Sequence, residues 1–236
     1  MSDQRIDATL AFYSENRNRL EQFQAGVETF FTKNPAFHSK PLPLIHSTKT
    51  RLKSLDGLRS KILRKAEKDI AISKENLFAE ITDLIGFRVL HLYQDQFPRI
   101  HAQILNHINE GDWKLVENPK SYTWDPESKS MYDNLQIASE IRETFYTSVH
   151  YVVAPNNSNP NLVCCEIQVR TLFEEVWGEI DHAVNYPVPT EVLACKEQLR
   201  VLSKLVSTGT RLADSIFRTL HDHDHKILLT AHNNAQ

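Results

Sequence analysis

Apolar and polar positions alternate with a period of two along two runs in the middle of the chain, predicting two neighbouring half-buried strands. In residues 161–170, Val163, Cys165, Ile167 and Val169 share one face, while Leu162, Cys164, Glu166, Gln168 and Arg170 share the other. In 146–154, Tyr146, Ser148 and His150 oppose Val149, Tyr151 and Val153. Each strand therefore presents a polar file. A carboxylate in the middle of such a file must be hydrated, paired or metal-bound, because a lone buried charge costs several kcal/mol. The period then becomes helical. Thr171 and Glu174 form a capping box, after which Leu172, Val176, Ile180 and Val184 make an apolar stripe expected to face the core. Glu175, Glu179 and His182 make a second line, and Pro187 and Pro189 end the helix.

The rest of the chain supplies the frame. Ile6, Leu10, Tyr13, Leu20, Phe23, Val27 and Phe30 recur at helical spacing, as one long helix or two broken ones, stopped at Asn34-Pro35. A strand is expected from Leu44 to Thr50, continuing toward Ser54, and then a helix with Leu55, Leu58, Ile62 and Ala66 inward. Residues 81–93 read as a turn carrying Asp83 and Gly86, followed by a strand. Asp95–Asn109 reads as a helix with Pro98 in its first turn and Ile100, Ile104 and Ile108 buried, and Trp113–Val116 as a strand. Residues 119–144 look like a long polar insertion with a short helix at Leu135–Ile141. A last helix, capped by Thr190, is expected to end near His221, with the tail HNNAQ disordered. About five strands in a mixed sheet among helices define an α+β class. The expected organisation is a helical extension over 1–40, a central domain over 41–190, and a C-terminal helix and tail over 191–236.

Composition narrows the setting. The balance of 41% hydrophobic and 24% charged residues is that of a water-soluble globular protein, with no apolar run long enough for a membrane span. Three cysteines, Cys164 beside Cys165 and Cys195 apart, make neither a disulfide framework nor a metal motif, which suits a reducing cytoplasm. The net charge of −3 conceals a local +6 between Lys49 and Lys68, so the remainder carries −9. Lys61, Arg64, Lys65 and Lys68 line one helix face, where stacked like charges repel unless an anion or a solvated surface accommodates them. Six glycines and the lack of a Gly-rich loop leave side-chain cations and metal to hold any phosphates. His221–His225 could ligate a metal at the helix end.

Two carboxylates near separate strands (Asp83, Glu166), a basic segment (51–68) and a tyrosine with polar neighbours (Tyr146, Ser148, His150) suit phosphoryl or nucleotidyl transfer. Acids hold Mg²⁺, cations neutralise polyphosphate, and an aromatic ring stacks on a base.

The stretches RLKSLDGLRSKILRK (51–65), DLIGFRV (83–89), YTSVH (146–150), EIQVRT (166–171) and WGEIDHAVNY (177–186), in that order, resemble the motifs of RelA/SpoT synthetase domains, in particular single-domain small alarmone synthetases. The resemblance implies a nucleotidyltransferase-like mixed sheet and transfer of the β,γ-pyrophosphate of ATP to the 3′-hydroxyl of GDP or GTP. It implies Mg²⁺ on Asp83, with Glu166 completing the metal site or deprotonating the hydroxyl. It further implies ATP binding by Arg51, Lys53, Ser54, Lys61, Lys65 and Arg88, and acceptor binding by Tyr146, Ser148, His150 and Gln168, while His182 could be structural or functional. Phe145 and Thr147 flank Tyr146 where the family carries glycine and a cation, Gly57 replaces a common serine, and the 119–144 insertion is long. Two other readings fit the same residues: a toxin-type relative that modifies the 3′ end of tRNA through the basic face, and a non-catalytic nucleotide- or RNA-binding regulator. Homo-oligomerisation through the terminal helices is a further expectation, against their packing on the domain itself.

Overall fold

The computed structural model describes residues 3–39, 42–157, 162–186 and 188–233, with side chains to residue 224. Pro187, the expected helix stop, and the last three residues of the tail lie outside them, as does the side chain of His225. In chain order the helices are α1 (Asp3–Glu15), α2 (Arg17–Lys33), α3 (Leu55–Ala66), α4 (Leu77–Glu80), α5 (Phe97–Asn109), α6 (Pro126–Asn134), α7 (Leu172–Asn185) and α8 (Leu193–Asn233). The strands are β1 (Ser47–Leu52), β2 (Ile85–His91), β3 (Trp113–Thr123), β4 (Ala138–Ile141), β5 (Ser148–Pro155) and β6 (Cys165–Thr171).

They form one mixed sheet in the order β1-β2-β6-β5-β3-β4, in which β2 runs parallel to β6 and β3 parallel to β4. The class is the expected α+β, with six strands rather than about five. The added strand is β4, lying where a short helix was expected. β3 also runs seven residues past Val116, because bulges between Leu115 and Glu117 and between Glu117 and Lys120 absorb Pro119. The supposed insertion is thus the second half of β3, helix α6 and the edge strand β4.

Side-chain parity divides the sheet as the alternation predicts. Phe87, Val89, Val149, Tyr151, Val153, Ile167 and Val169 are essentially inaccessible and form one core with α2 and α5. Phe31 stacks on Phe87 with centroids 5.2 Å apart, and the Tyr151 hydroxyl lies 2.7 Å from His101 Nδ1. Helices α1 and α2 contribute Ile6, Tyr13, Leu20 and Val27 to this same core, and the Tyr13 hydroxyl donates to the carbonyl of Lys53 at 2.7 Å.

Helix α7 departs from expectation in its orientation. The capping box is present, with Thr171 N donating to Glu174 Oε2 at 2.7 Å and Glu174 N to Thr171 Oγ1 at 3.2 Å. Yet Val176 and Ile180 are 54% and 40% exposed, while Glu175 is only 5% exposed. The helix turns its acidic line to the sheet and its apolar stripe outward, because the sheet face it covers is the cationic one. Helix α8 continues to Asn233, twelve residues beyond the expected end.

Candidate active site

The polar files of β1, β2, β6 and β5 lie side by side because the register puts Lys49 beside Arg88, Arg51 beside Gly86, Arg88 beside Gln168, Gly86 beside Glu166, and Gln168 beside His150. Helix α7 arches over them. Between helix and sheet opens a cleft of about 650 Å³ lined by Arg51, Asp83, Arg88, Tyr146, Glu166 and Gln168, with Glu179 and His182 on the helical wall. Six of the twelve residues singled out from sequence therefore face one cavity directly.

Asp83 sits in the turn before β2 and is flanked by two lysines. Lys53 Nζ is 2.9 Å from its Oδ2 and Lys61 Nζ is 2.7 Å from its Oδ1. Burial by itself would raise this carboxyl, but the two ammonium groups outweigh it and hold the acid below its ordinary range. Oδ1 is inaccessible to solvent, with the Lys61 ammonium seated against it. An ionised carboxylate lining the same cleft as a second one suits a hard cation such as Mg²⁺.

That second carboxylate, Glu166, closes a chain of polar groups. The Tyr146 hydroxyl is 3.0 Å from His150 Nε2, His150 Nδ1 is 3.3 Å from Glu166 Oε1, and Gln168 Nε2 donates to Glu166 Oε2 at 2.7 Å. Burial raises the Glu166 carboxyl less than His150 and Gln168 lower it, so the group is held ionised, while burial raises the Tyr146 phenol and keeps it neutral. The negative field of Asp83 is felt at Glu166, as two acids of one site require.

The remaining sequence-selected residues stand one step back. Ser54 caps α3, its Oγ accepting from Gly57 N at 3.1 Å. Lys65 pairs with Glu80 at 3.3 Å, and Ser148 is wholly buried, its hydroxyl 3.4 Å from the Val169 carbonyl. The basic face of α3 is thereby divided: Lys61 and Lys65 turn to acids, and Arg64 and Lys68 stay exposed.

Sequence reading did not anticipate the ion cluster roofing the cleft. Glu175 contacts Lys49 at 2.7 Å, Arg88 at 3.1 Å and Arg170, and Glu179 contacts Arg88 at 2.6 Å. Burial opposes ionisation of Glu175, but the Lys49 hydrogen bond and the charges of Arg170 and Arg88 bring it down to about 2. Gly178 makes room for this, since a Cβ there would lie 2.8 Å from Arg170 Nη1. The signal was present as acids at i and i+4 on α7 matching cations at alternate positions on the strands.

Residues 50–191 match the family described as the region found in RelA/SpoT proteins. The chain is similar to the GTP pyrophosphokinase YwaC of Bacillus subtilis, with 23% identity over 182 residues, covering 75% of this chain and 77% of that protein. Its fold resembles the small alarmone synthetase 1 of Bacillus subtilis, with a TM-score of 0.64 and 20% identity over 90% of this chain and 97% of that one. The same synthetase bound to its product pppGpp gives 0.61 and 21%, covering 89% and 97%. The protein smu.1046c of Streptococcus mutans UA159 gives 0.60 and 21%, covering 91% and 97%.

Proposed function

The chain belongs to the RelA/SpoT family, and from that premise we propose that it is an alarmone synthetase, moving the β,γ-pyrophosphate of ATP to the 3′-hydroxyl of GDP or GTP. The observation that carries the reading is the meeting of Asp83 and Glu166 in one cleft, with lysines on one side and the Tyr146–His150–Glu166 chain on the other.

Mg²⁺, held by Asp83 and Glu166, would supply neutralisation of the transferred phosphates when bound. The protein's own share is positioning and charge. Lys53 and Lys61, resting on Asp83, exchange that carboxylate for phosphate oxygens as the donor enters, and Arg51 and Arg88 extend the cationic wall. Ser54 and Lys65 support α3 at the donor side. Tyr146 stacks on guanine, Gln168 and Ser148 brace the acceptor strands, and His150 orients Glu166. The 3′-oxygen attacks the β-phosphorus, the bond to the α,β-bridging oxygen breaks, and AMP departs with that oxygen. Glu166, ionised and held by His150, receives the hydroxyl proton.

No helix among the described residues is long and apolar enough to cross a membrane, and the free cysteines suit a reducing cytoplasm. The exposed apolar face of α8 supports homo-oligomerisation.

The test offers ATP radiolabelled on its γ-phosphate, with Mg²⁺, to GDP, GTP and bulk tRNA in separate reactions. Label should pass to GDP or GTP, and Asp83→Asn and Glu166→Gln should each slow transfer by at least about 10²-fold, the scale of losing an acid–base or charge-stabilising group. Label on tRNA alone would reassign the acceptor, and absence of transfer to any acceptor would reject the synthetase reading.

A further inference from the structure

Beside Tyr146, which lies in the segment leading into β5, is a second cavity of about 250 Å³ bounded by that segment, α6, α7 and α8. It holds no residue of the catalytic constellation. A water claims roughly 30 Å³ of liquid volume, so the space is that of a small organic molecule rather than of one bound water.

Its wall is aromatic and acidic. Trp124, Phe145 and Trp177 contribute rings, and five carboxylates face two arginines. Both arginines are already engaged: Arg211 with Asp125 at 2.5 Å and Glu127 at 3.1 Å, and Arg218 with Asp95 at 2.5 Å. Glu174 and Asp214 remain, and neither has an ion-pair partner among the described residues. Burial first, and the neighbouring acids Asp125 and Asp95 after it, push Glu174 up to about 7 and raise Asp214 against the pull of Arg170 and Arg218, so a cation seated here would favour the ionised form of both.

Thr210 supplies an independent sign. It is 5% exposed, lines the cavity, and its hydroxyl has no hydrogen-bond partner. A helical hydroxyl ordinarily bonds back to its own helix. Thr208 and Thr219 on α8 do so, to the carbonyls of Lys204 and Ser215, both at 2.9 Å. Thr210 instead holds an unsatisfied oxygen at the wall it shares with Glu174 and Asp214, whose carboxylates each accept one backbone N–H, from Thr171 and Asp95, on a single oxygen.

We infer that this cavity is a binding site for a small organic cation, an ammonium group on an apolar or aromatic body. The ammonium donates to Thr210, Asp214 and Glu174, and the body lies against the rings of Trp124, Trp177 and Phe145. The site also touches the acceptor side of the cleft. Phe145 and Thr147 line this cavity, whereas Tyr146 between them lines the catalytic one. Phe145 sits at φ +62°, a strained setting for a side chain this large, held by packing against Trp124 at 5.4 Å. An occupant that fixes Phe145 therefore stiffens the backbone that aims Tyr146.

The experiment titrates the full chain, without nucleotide, with 2-phenylethylammonium by calorimetry, with neutral 2-phenylethanol and anionic 3-phenylpropionate as controls. Because no nucleotide is present, the result stands apart from the synthetase reading. The cation should bind and the controls should not. Thr210→Val and Asp214→Asn, both near-isosteric, should keep the thermal transition and weaken binding at least about tenfold each, the scale of a hydrogen bond to a charged group. Amide exchange of residues 142–147 should slow when the cation is bound. Equal binding of the alcohol, failure of the cation to bind at millimolar concentration, unchanged affinity in both variants, or unchanged exchange in 142–147 would each overturn the proposal.

Discussion

Tyr146 and His150 share one hydrogen bond but enter the proposed reaction differently, and substitution can separate them. The ring faces the cleft, and its hydroxyl meets His150 Nε2 at 3.0 Å. If the ring is the platform for guanine, Tyr146→Ala should raise the acceptor KM by about 5- to 150-fold, the equivalent of 1–3 kcal/mol of stacking, with kcat little changed. Tyr146→Phe should keep a near-normal KM. His150→Ala acts through Glu166, so it should lower kcat with acceptor KM nearly intact. Steady-state kinetics with GDP varied at saturating ATP distinguishes the two, and a Tyr146→Ala variant that loses only kcat would remove the stacking role. Most of this site was legible beforehand, because strand parity fixes which residues share a face. What parity could not supply was partnership. Nothing in the spacing of Lys53, Lys61 and Asp83 says that both lysines converge on that acid, since Asp83 lies in a turn and the lysines on a strand and a helix.

At the scale of the element, α7 shows why a periodic stripe did not decide its own direction. An apolar line is buried when the facing surface is apolar, but the surface opposite α7 carries Lys49, Arg88 and Arg170, so the acidic line turned inward. The fold's remaining surprise, β4, has the same origin in context: four residues with no alternation of their own become a strand because β3 offers a parallel edge. The ion cluster makes a testable claim about α7. Removing the charge of Glu175 leaves Arg170, 3% exposed, without its counter-charge. Glu175→Gln should therefore cost about 3–5 kcal/mol at neutral pH, as breaking a buried pair does. The pH dependence follows from the lowering of Glu175 from 4.5 to about 2. Between those values the unfolded chain binds the proton and the native one does not, so stability rises with pH across that window and is lost as pH falls through it. Urea denaturation of both proteins from neutral pH downward should show the difference between them narrowing on the acid side of 4.5. A gap independent of pH would mean that Glu175 contributes by packing alone.

The whole molecule is shaped by α8, whose 41 residues extend for about 60 Å at 1.5 Å per residue. One face is anchored: Trp177 Nε1 donates to the Leu199 carbonyl at 3.0 Å, and a Cβ at Gly209 would meet the Phe173 ring at 2.8 Å. Arg211 and Arg218 tie the same helix to Asp125 and Asp95. The opposite face carries Val201, Leu205, Leu212 and Ile216, each at least 57% exposed, at spacings of four and seven that keep them in line. Four large apolar side chains in line make more apolar surface than scattered exposed residues would, and such a surface is stable in water when something covers it. A second copy is the cover this chain itself supplies, since a linear stripe on one long helix can meet its own symmetry mate. Light scattering at micromolar concentration should therefore give a multiple of 27.2 kDa. The pair Leu205→Glu and Leu212→Glu should reduce the mass to that of one chain, while far-UV circular dichroism stays unchanged because both side chains lie outside the core. A wild-type protein already monomeric under those conditions would sink the idea and leave the stripe to a different partner.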